Sequence, residues 1–171
     1  TLHSKQIAES LALREADVGF AFEPSSHPAL QGDIIAQGHM VCVGEDVPAQ
    51  SVTIEALAAH PVIDLDPGDP LGRLLHLAWD AHEVEPQARV RAYSYHAAVE
   101  LSAHGFGWAL LDNYTAAYAQ RHPKLRTVPV TPEIPVGVHA LRVRESPSCA
   151  PVDHLIENMT AVLNAAHPSS Q

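Results

Sequence analysis

Strand-like and helix-like segments alternate along this chain from end to end, and that alternation constrains its fold more than any other feature. The best-defined helix is the clearest instance. Leu71, Leu74, Leu75, Ala78 and Trp79 recur at i, i+3, i+4, i+7 and i+8, which makes one apolar stripe. Asp69 is placed to cap that helix, and Pro70 fits its first position, where a missing N–H costs nothing. Two buried-strand runs bracket much of the chain. Asp17-Val-Gly-Phe-Ala-Phe22 follows a helix-like stretch, and about 85 residues later Ala103-His-Gly-Phe-Gly-Trp-Ala-Leu-Leu111 repeats the order of helix end, glycine and strand.

The same reading predicts a helix over 3–15 carrying Ile7, Ala8 and Leu11, a strand over 17–22, and a loop at 23–28. A strand over 33–43 ends in the apolar run Met40-Val-Cys-Val43. Thr53 caps a short helix with Ile54, Leu57 and Ala58, which His60-Pro61 stops before a strand at 62–65. Residues 89–93 alternate polar and apolar, the mark of a strand with one wet face. Ser94 caps a helix over 95–104, and Gly105 suits its left-handed end. A fully buried strand is expected over 106–111, a helix near 112–121, and strands over 125–130 and 136–143. Pro151 opens a last helix with Val152, Leu155, Ile156, Met159 and Leu163 as its stripe. These elements imply α/β layers with mainly parallel sheets. Two strand-like stretches about 90 residues apart, near 36–45 and 128–138, are where the chain is expected to cross between lobes.

Composition narrows the function classes. The chain has 171 residues, 46% of them hydrophobic and 18% charged, so it can form a packed interior and is not a disordered segment. No apolar run approaches the roughly 20 residues that span a bilayer, and no membrane partner is expected. A formal charge of −10 argues against direct contact with nucleic acid, which needs a basic surface. The two cysteines, Cys42 and Cys149, read as a reduced pair of small core residues.

Catalytic and metal chemistry find little support. None of the twelve histidines lie at i, i+3 or i+4 from one another, there is no His-Glu-x-x-His, and no metal or cofactor is expected. No Gly-x-Ser-x-Gly elbow is present. Asp64, Asp66 and Asp69 are carboxylates close enough for acid–base work, but a stretch rich in Asp, Pro and Gly is also what a turn alone produces, and the turn reading is adopted.

The order of elements resembles the effector-binding domain of LysR-type transcriptional regulators. The residues that carry the resemblance are the aspartate-led strand Asp17-Val-Gly-Phe-Ala, the crossover strand His39-Met-Val-Cys-Val-Gly44, the short helix Val52-Thr-Ile-Glu-Ala-Leu57, and Ala103-His-Gly-Phe-Gly107, similar to the family's Gly-x-Gly segment. The stretch Ile63-Asp-Leu-Asp-Pro-Gly-Asp-Pro-Leu-Gly-Arg73 looks closest to regulators of opine and basic amino-acid catabolism.

The resemblance implies a two-lobed, periplasmic-binding-protein-like (type 2) α/β fold, with lobe one at 1–43 and 131–171 and lobe two at 44–130. It implies a cytoplasmic, non-enzymatic sensor that binds a small organic effector, an amino acid or opine-like compound, between the lobes. It implies a homo-oligomer, a dimer or tetramer, that meets DNA only through a helix-turn-helix domain outside this stretch. The family's linker helix and the first strand and helix of lobe one also lack counterparts here. A solute-binding protein for a transporter is the competing reading.

Effector contacts are expected at helix N-termini and strand ends, where backbone N–H groups and the helix dipole favour an anionic group. Ser4 matches a hydroxyl that contacts effectors in the family, or is an ordinary helix cap. Phe22 and Glu23 follow the first strand, as site residues or as plain loop, and Glu23 would suit a cationic group. Tyr93, Ser94, Tyr95 and His96 lie at a strand-to-helix junction in lobe two, as site residues or as a core tyrosine and a simple cap.

Overall fold

The computed structural model describes residues 4–23, 27–147 and 149–166, without the side chains of 4, 5 and 166. The chain divides into two compact units, Thr1–Gly38 with Val136–Gln171 and the intervening His39–Pro135.

The second unit is built around the helix that the sequence defines best. Strand β1 (Gly19–Ala21), long strand β2 (Leu30–Gly44) and β3 (Val52–Thr53) precede it in the chain, after helix α1 (Ser4–Ala12). Then come α2 (Ile54–Leu57), β4 (Pro61–Leu65), α3 (Pro70–Ala81), β5 (Gln87–Ala92), α4 (Tyr95–Ala103) and β6 (Trp108–Asp112). A short helix α5 (Asn113–Ala116) runs into a 3-10 turn at Ala117–Arg121, followed by β7 (Arg126–Thr131), β8 (Pro135–Val143) and α6 (Ala150–Ala166). Caps explain the starts. Thr53, Asp69, Ser94 and Asp112 each accept a backbone N–H with the side chain, from Ala56, Leu71, Ala97 and Thr115. In α3 the stripe buries Leu71, Leu75 and Trp79, with Leu74 and Ala78 half-buried. Each fully buried side chain of that kind contributes roughly 1.5–3 kcal/mol.

Within the second unit the strands run in the order β2, β6, β4, β5. β4 is parallel to both β5 and β6, whereas β2 is antiparallel to β6 and to β7, and β3 runs parallel to β7. In the first unit β1 pairs antiparallel with β8, which lies next to β2. The sheets are thus mixed rather than mainly parallel. Apolar runs report burial but not strand direction, and both partners of the long crossing strand β2 in the second unit come to it head to tail. The first unit's core is Leu11, Ala21, Leu30 and Leu141, with Ile7, Ala8, Ala16 and Val143 packed against it.

Four local expectations need correction. The strand expected over 106–111 begins at Trp108, and Phe106 is 50% exposed. Gly105 and Gly107 take φ of +76° and +145°, so the chain turns at both and Phe106 swings out between them. A Cβ on Gly107 would stand 2.5 Å from the Pro61 carbonyl oxygen, so only glycine lets β6 start against β4 there. The helix near 112–121 is one α-turn continued as 3-10. In α6 the stripe is only partly covered, with Leu155 46% exposed. Cys42 is buried, its thiol pushed up to about 12 by desolvation, but Cys149 is exposed and is not a core residue.

Candidate functional site

Parallel β4, β5 and β6 end at one edge of the second unit, and each is followed there by a helix: α3, α4 and α5. Side chains at such carboxyl ends are where open α/β sheets hold ligands. The edge is assembled from three cap segments: Asp66 to Pro70, Tyr93 to His96, and Asp112 with Asn113.

Two of these segments are stitched together. The Tyr95 hydroxyl donates to Asp69 Oδ1 at 2.5 Å, while the same oxygen accepts the Leu71 N–H at 3.0 Å. Burial and the Asp69 carboxylate push the Tyr95 phenol far above its ordinary range, so it remains a donor. Asp66 Oδ1 accepts the Gly68 N–H at 2.8 Å and closes the turn. The turn reading therefore holds for Asp66 and Asp69. Asp64 is different: it lies on β4, buried, with Oδ2 bound by Arg91 Nε at 2.8 Å and Nη2 at 2.7 Å and Oδ1 by His76 Nε2 at 3.0 Å. It is a sheet residue and not part of the turn.

The third segment is less satisfied. Asp112 is 0% exposed. Its Oδ1 accepts the Thr115 N–H at 2.8 Å, but Oδ2 is buried without a hydrogen-bond partner among the described residues. Asn113 is 5% exposed; its Oδ1 accepts the His39 N–H at 3.1 Å, and its Nδ2 is likewise buried and unpartnered. Burial pushes the Asp112 carboxyl up, against the lowering effect of the Thr115 hydrogen bonds. Each polar atom left without a partner in the interior costs about 1–3 kcal/mol. Neither residue was legible as a site from sequence. The available signal was a polar pair placed directly after a buried run, Leu110-Leu111-Asp112-Asn113, at the end of a strand.

The residues expected at the site fall as follows. Tyr93, Ser94, Tyr95 and His96 sit together on this edge. Tyr93 is 68% exposed, Ser94 is exposed and caps α4, and Tyr95 is half-buried against Asp69. His96 is exposed, with its ring edge-on to Tyr118 at 4.8 Å. Phe22 and Glu23 lie in the first unit, half-buried in the bend after β1. Ser4 opens α1, and its side chain lies outside the described residues.

The histidines are spread over separate roles. His76 binds Asp64, His82 binds Glu55 at 2.8 Å, and His122 binds Glu100 at 3.1 Å. His60 stacks on Trp108 with ring centroids 4.0 Å apart. His139 is buried on β8, with Nδ1 unpartnered, and desolvation lowers its pKa. Among the described residues no group of three His, Cys, Asp or Glu side chains is arranged to hold a metal ion. No described helix is long and apolar enough to cross a membrane.

Residues 1–164 match the LysR substrate binding domain. Over 121 residues the chain is 29% identical to the HTH-type transcriptional regulator DgcR of a Pseudoalteromonas species, a match covering 68% of this chain and 41% of that protein. The chain thus spans less than half the length of this curated relative. Among solved structures, it is similar to the regulatory domain of CcmR from Synechocystis PCC6803 in complex with 2-PG, with a TM-score of 0.80 and 17% identity over 94% of this chain and 80% of that one. It is also similar to the effector binding domain of QuiR in complex with shikimate, with a TM-score of 0.79 and 13% identity over 97% of this chain and 80% of that one. At these identities the likeness is one of fold.

Proposed function

This chain belongs to the LysR substrate binding domain family, and from that premise we propose that it is the ligand-sensing part of a LysR-type transcriptional regulator. A small organic effector binds at the carboxyl edge of β4, β5 and β6, beside Tyr93, Ser94, Tyr95 and His96. On the family resemblance, Ser4, Phe22 and Glu23 of the first unit are proposed as further effector contacts. The two lobes are proposed as 1–43 with 131–171 and as 44–130.

The observation that carries this reading is the edge itself. Three strand ends and their helix caps lie there, and Asp112 and Asn113 carry buried polar atoms that none of the described residues satisfies. An effector that binds one conformation better than another shifts a pre-existing equilibrium. The domain senses in this way and does not turn its ligand over. The shift is transmitted to a DNA-binding helix-turn-helix domain in a cytoplasmic homo-oligomer, a dimer or tetramer. An amino acid or opine-like compound is the proposed effector class, and the half-buried Glu23 suits its cationic group.

Thermal-shift screening of the chain against amino acids, opines, aromatic acids and sugar phosphates tests the proposal. A saturable rise in melting temperature with one class is expected. No shift with any class, together with no effector dependence of DNA binding by a version carrying the helix-turn-helix domain, would remove the sensing role.

A further inference from the structure

We infer that Asp112 and Asn113 form a head-group subsite for an effector carrying a protonated amine next to a carboxylate. The inference rests on the effector-site reading of this edge and deepens it.

The two residues are adjacent in sequence and complementary in chemistry. Among the described residues Asp112 Oδ2 is an acceptor with no donor, and Asn113 Nδ2 is a donor with no acceptor. The amide orientation is fixed by its neighbour. The His39 N–H needs an acceptor, which the amide oxygen supplies at 3.1 Å, so the amide nitrogen is the group left over. The carboxylate is oriented too, because Oδ1 is committed to the Thr115 N–H at 2.8 Å. Both side chains are therefore held by the backbone through one atom, and the other is left buried and unpaired among the described residues.

A ligand ammonium satisfies the Asp112 oxygen, and a ligand carboxylate satisfies the Asn113 amide. Compounds with only one of these groups leave a buried atom unpaired. The field at this edge also favours a cation on the Asp112 side, since the Tyr95 hydroxyl senses the negative charge of both Asp69 and Asp112. Charge-assisted hydrogen bonds of this kind are the stronger class.

The test is calorimetric titration of the chain with matched sets of probes. Glutamate is compared with 2-hydroxyglutarate and 4-aminobutyrate, alanine with lactate and ethylamine, and arginine with its 2-hydroxy analogue and agmatine. At least one amino acid is expected to bind, and its deaminated and decarboxylated partners are expected to be weaker by at least about 100-fold, as when a site built for a polar group meets an analogue lacking it. Asp112→Asn keeps the helix cap, so the variant folds; it is expected to lose the preference for amine over hydroxyl. Asn113→Asp keeps the acceptor for the His39 N–H and removes the donor, and is expected to lose the preference for a carboxylate.

Equal binding of the amino acid and its hydroxy acid by the unaltered chain would overturn the subsite, as would an Asp112→Asn variant with unchanged discrimination. Binding of an aromatic acid or a sugar phosphate, with no amino acid bound, overturns the subsite and leaves the effector reading standing. No binding of any of these classes takes both down together.

Discussion

Asp64 and Asp112 are two aspartates of the same unit, 6% and 0% exposed, and they have been treated in opposite ways by the chain around them. Asp64 lies within β4, its Oδ2 bound to Arg91 on β5 and its Oδ1 to His76 on α3. Asp112 ends β6 with one oxygen capping α5 and the other unpaired. A buried carboxylate with both oxygens bonded across two strands and a helix is a fastening. One left half-satisfied at a strand end makes the folded chain less stable than it need be, and such sites are where function is expected to sit.

Breaking the fastening should have the largest effect. Asp64→Asn removes the charge that Arg91 and His76 face. The expected loss is about 2 kcal/mol, in the range for hydrogen bonds to a charged group, because the Arg91 and His76 side chains left behind are partly in water. Urea denaturation measures it. Ligand affinity of the folded fraction should be unchanged; if affinity falls instead, Asp64 belongs to the site and the contrast collapses.

The reciprocal substitution should separate stability from function. Asp112→Asn keeps an acceptor for the Thr115 N–H and removes a buried, poorly compensated charge. Stability at neutral pH is expected to be unchanged or higher by up to about 1 kcal/mol, while effector affinity falls. A destabilisation comparable to that of Asp64→Asn would show that Asp112 is structural too.

Ser94 lies between these extremes. It is exposed and caps α4 through the Ala97 N–H at 3.2 Å, so Ser94→Ala should cost about 1 kcal/mol. Chemical denaturation and effector titration on the same preparation decide its role. A stability loss with unchanged affinity leaves it a cap; a further drop in affinity makes it an effector contact.

The contrast between Asp64 and Asp112 also marks how far the sequence could be read. The caps at Thr53, Asp69 and Ser94, and Pro70 at the first turn, were legible because capping is decided within three or four residues. The stripe of α3 was legible for the same reason. Phe106 misleads because two glycines with positive φ read as the end of one element and the start of the next, whereas together they turn the chain outward. The mixed direction of the sheets was invisible: β2 meets β6 and β7 across more than sixty residues of chain, and nothing local encodes that. Asp64 reads as part of the turn because Asp66 and Asp69, which do form it, follow so closely. Asp112 and Asn113 are not legible because what distinguishes them is an atom without a partner among the described residues, and partners are a property of the folded chain.

The smallest expected effect is on pH dependence, where the Asp112 charge can be compared with the buried histidine of the first unit. Burial raises the Asp112 carboxyl above its ordinary 3.8. Its neutral form is the one the fold prefers, so its contribution to stability is full below pH 3.8 and is lost as pH rises through the higher folded value. Above that value Asp112→Asn should therefore be more stable relative to the unaltered chain than it is at pH 3.8, with the gap growing across the window and then levelling. His139 has the opposite sign. Burial lowers it below 6.5, so its contribution is full above pH 6.5 and is lost as pH falls through the lower folded value. His139→Phe should flatten that acid-side decline and leave the Asp112 window untouched. Melting curves of the three proteins from about pH 2.8 to about pH 7.5 test both signs at once, that range reaching about one unit beyond each ordinary value. An amino-acid ligand adds the last discrimination. By supplying the missing cation it should hold Asp112 ionised, so that in its presence the unaltered chain regains the stability it lost on the rising-pH side and the Asn variant does not.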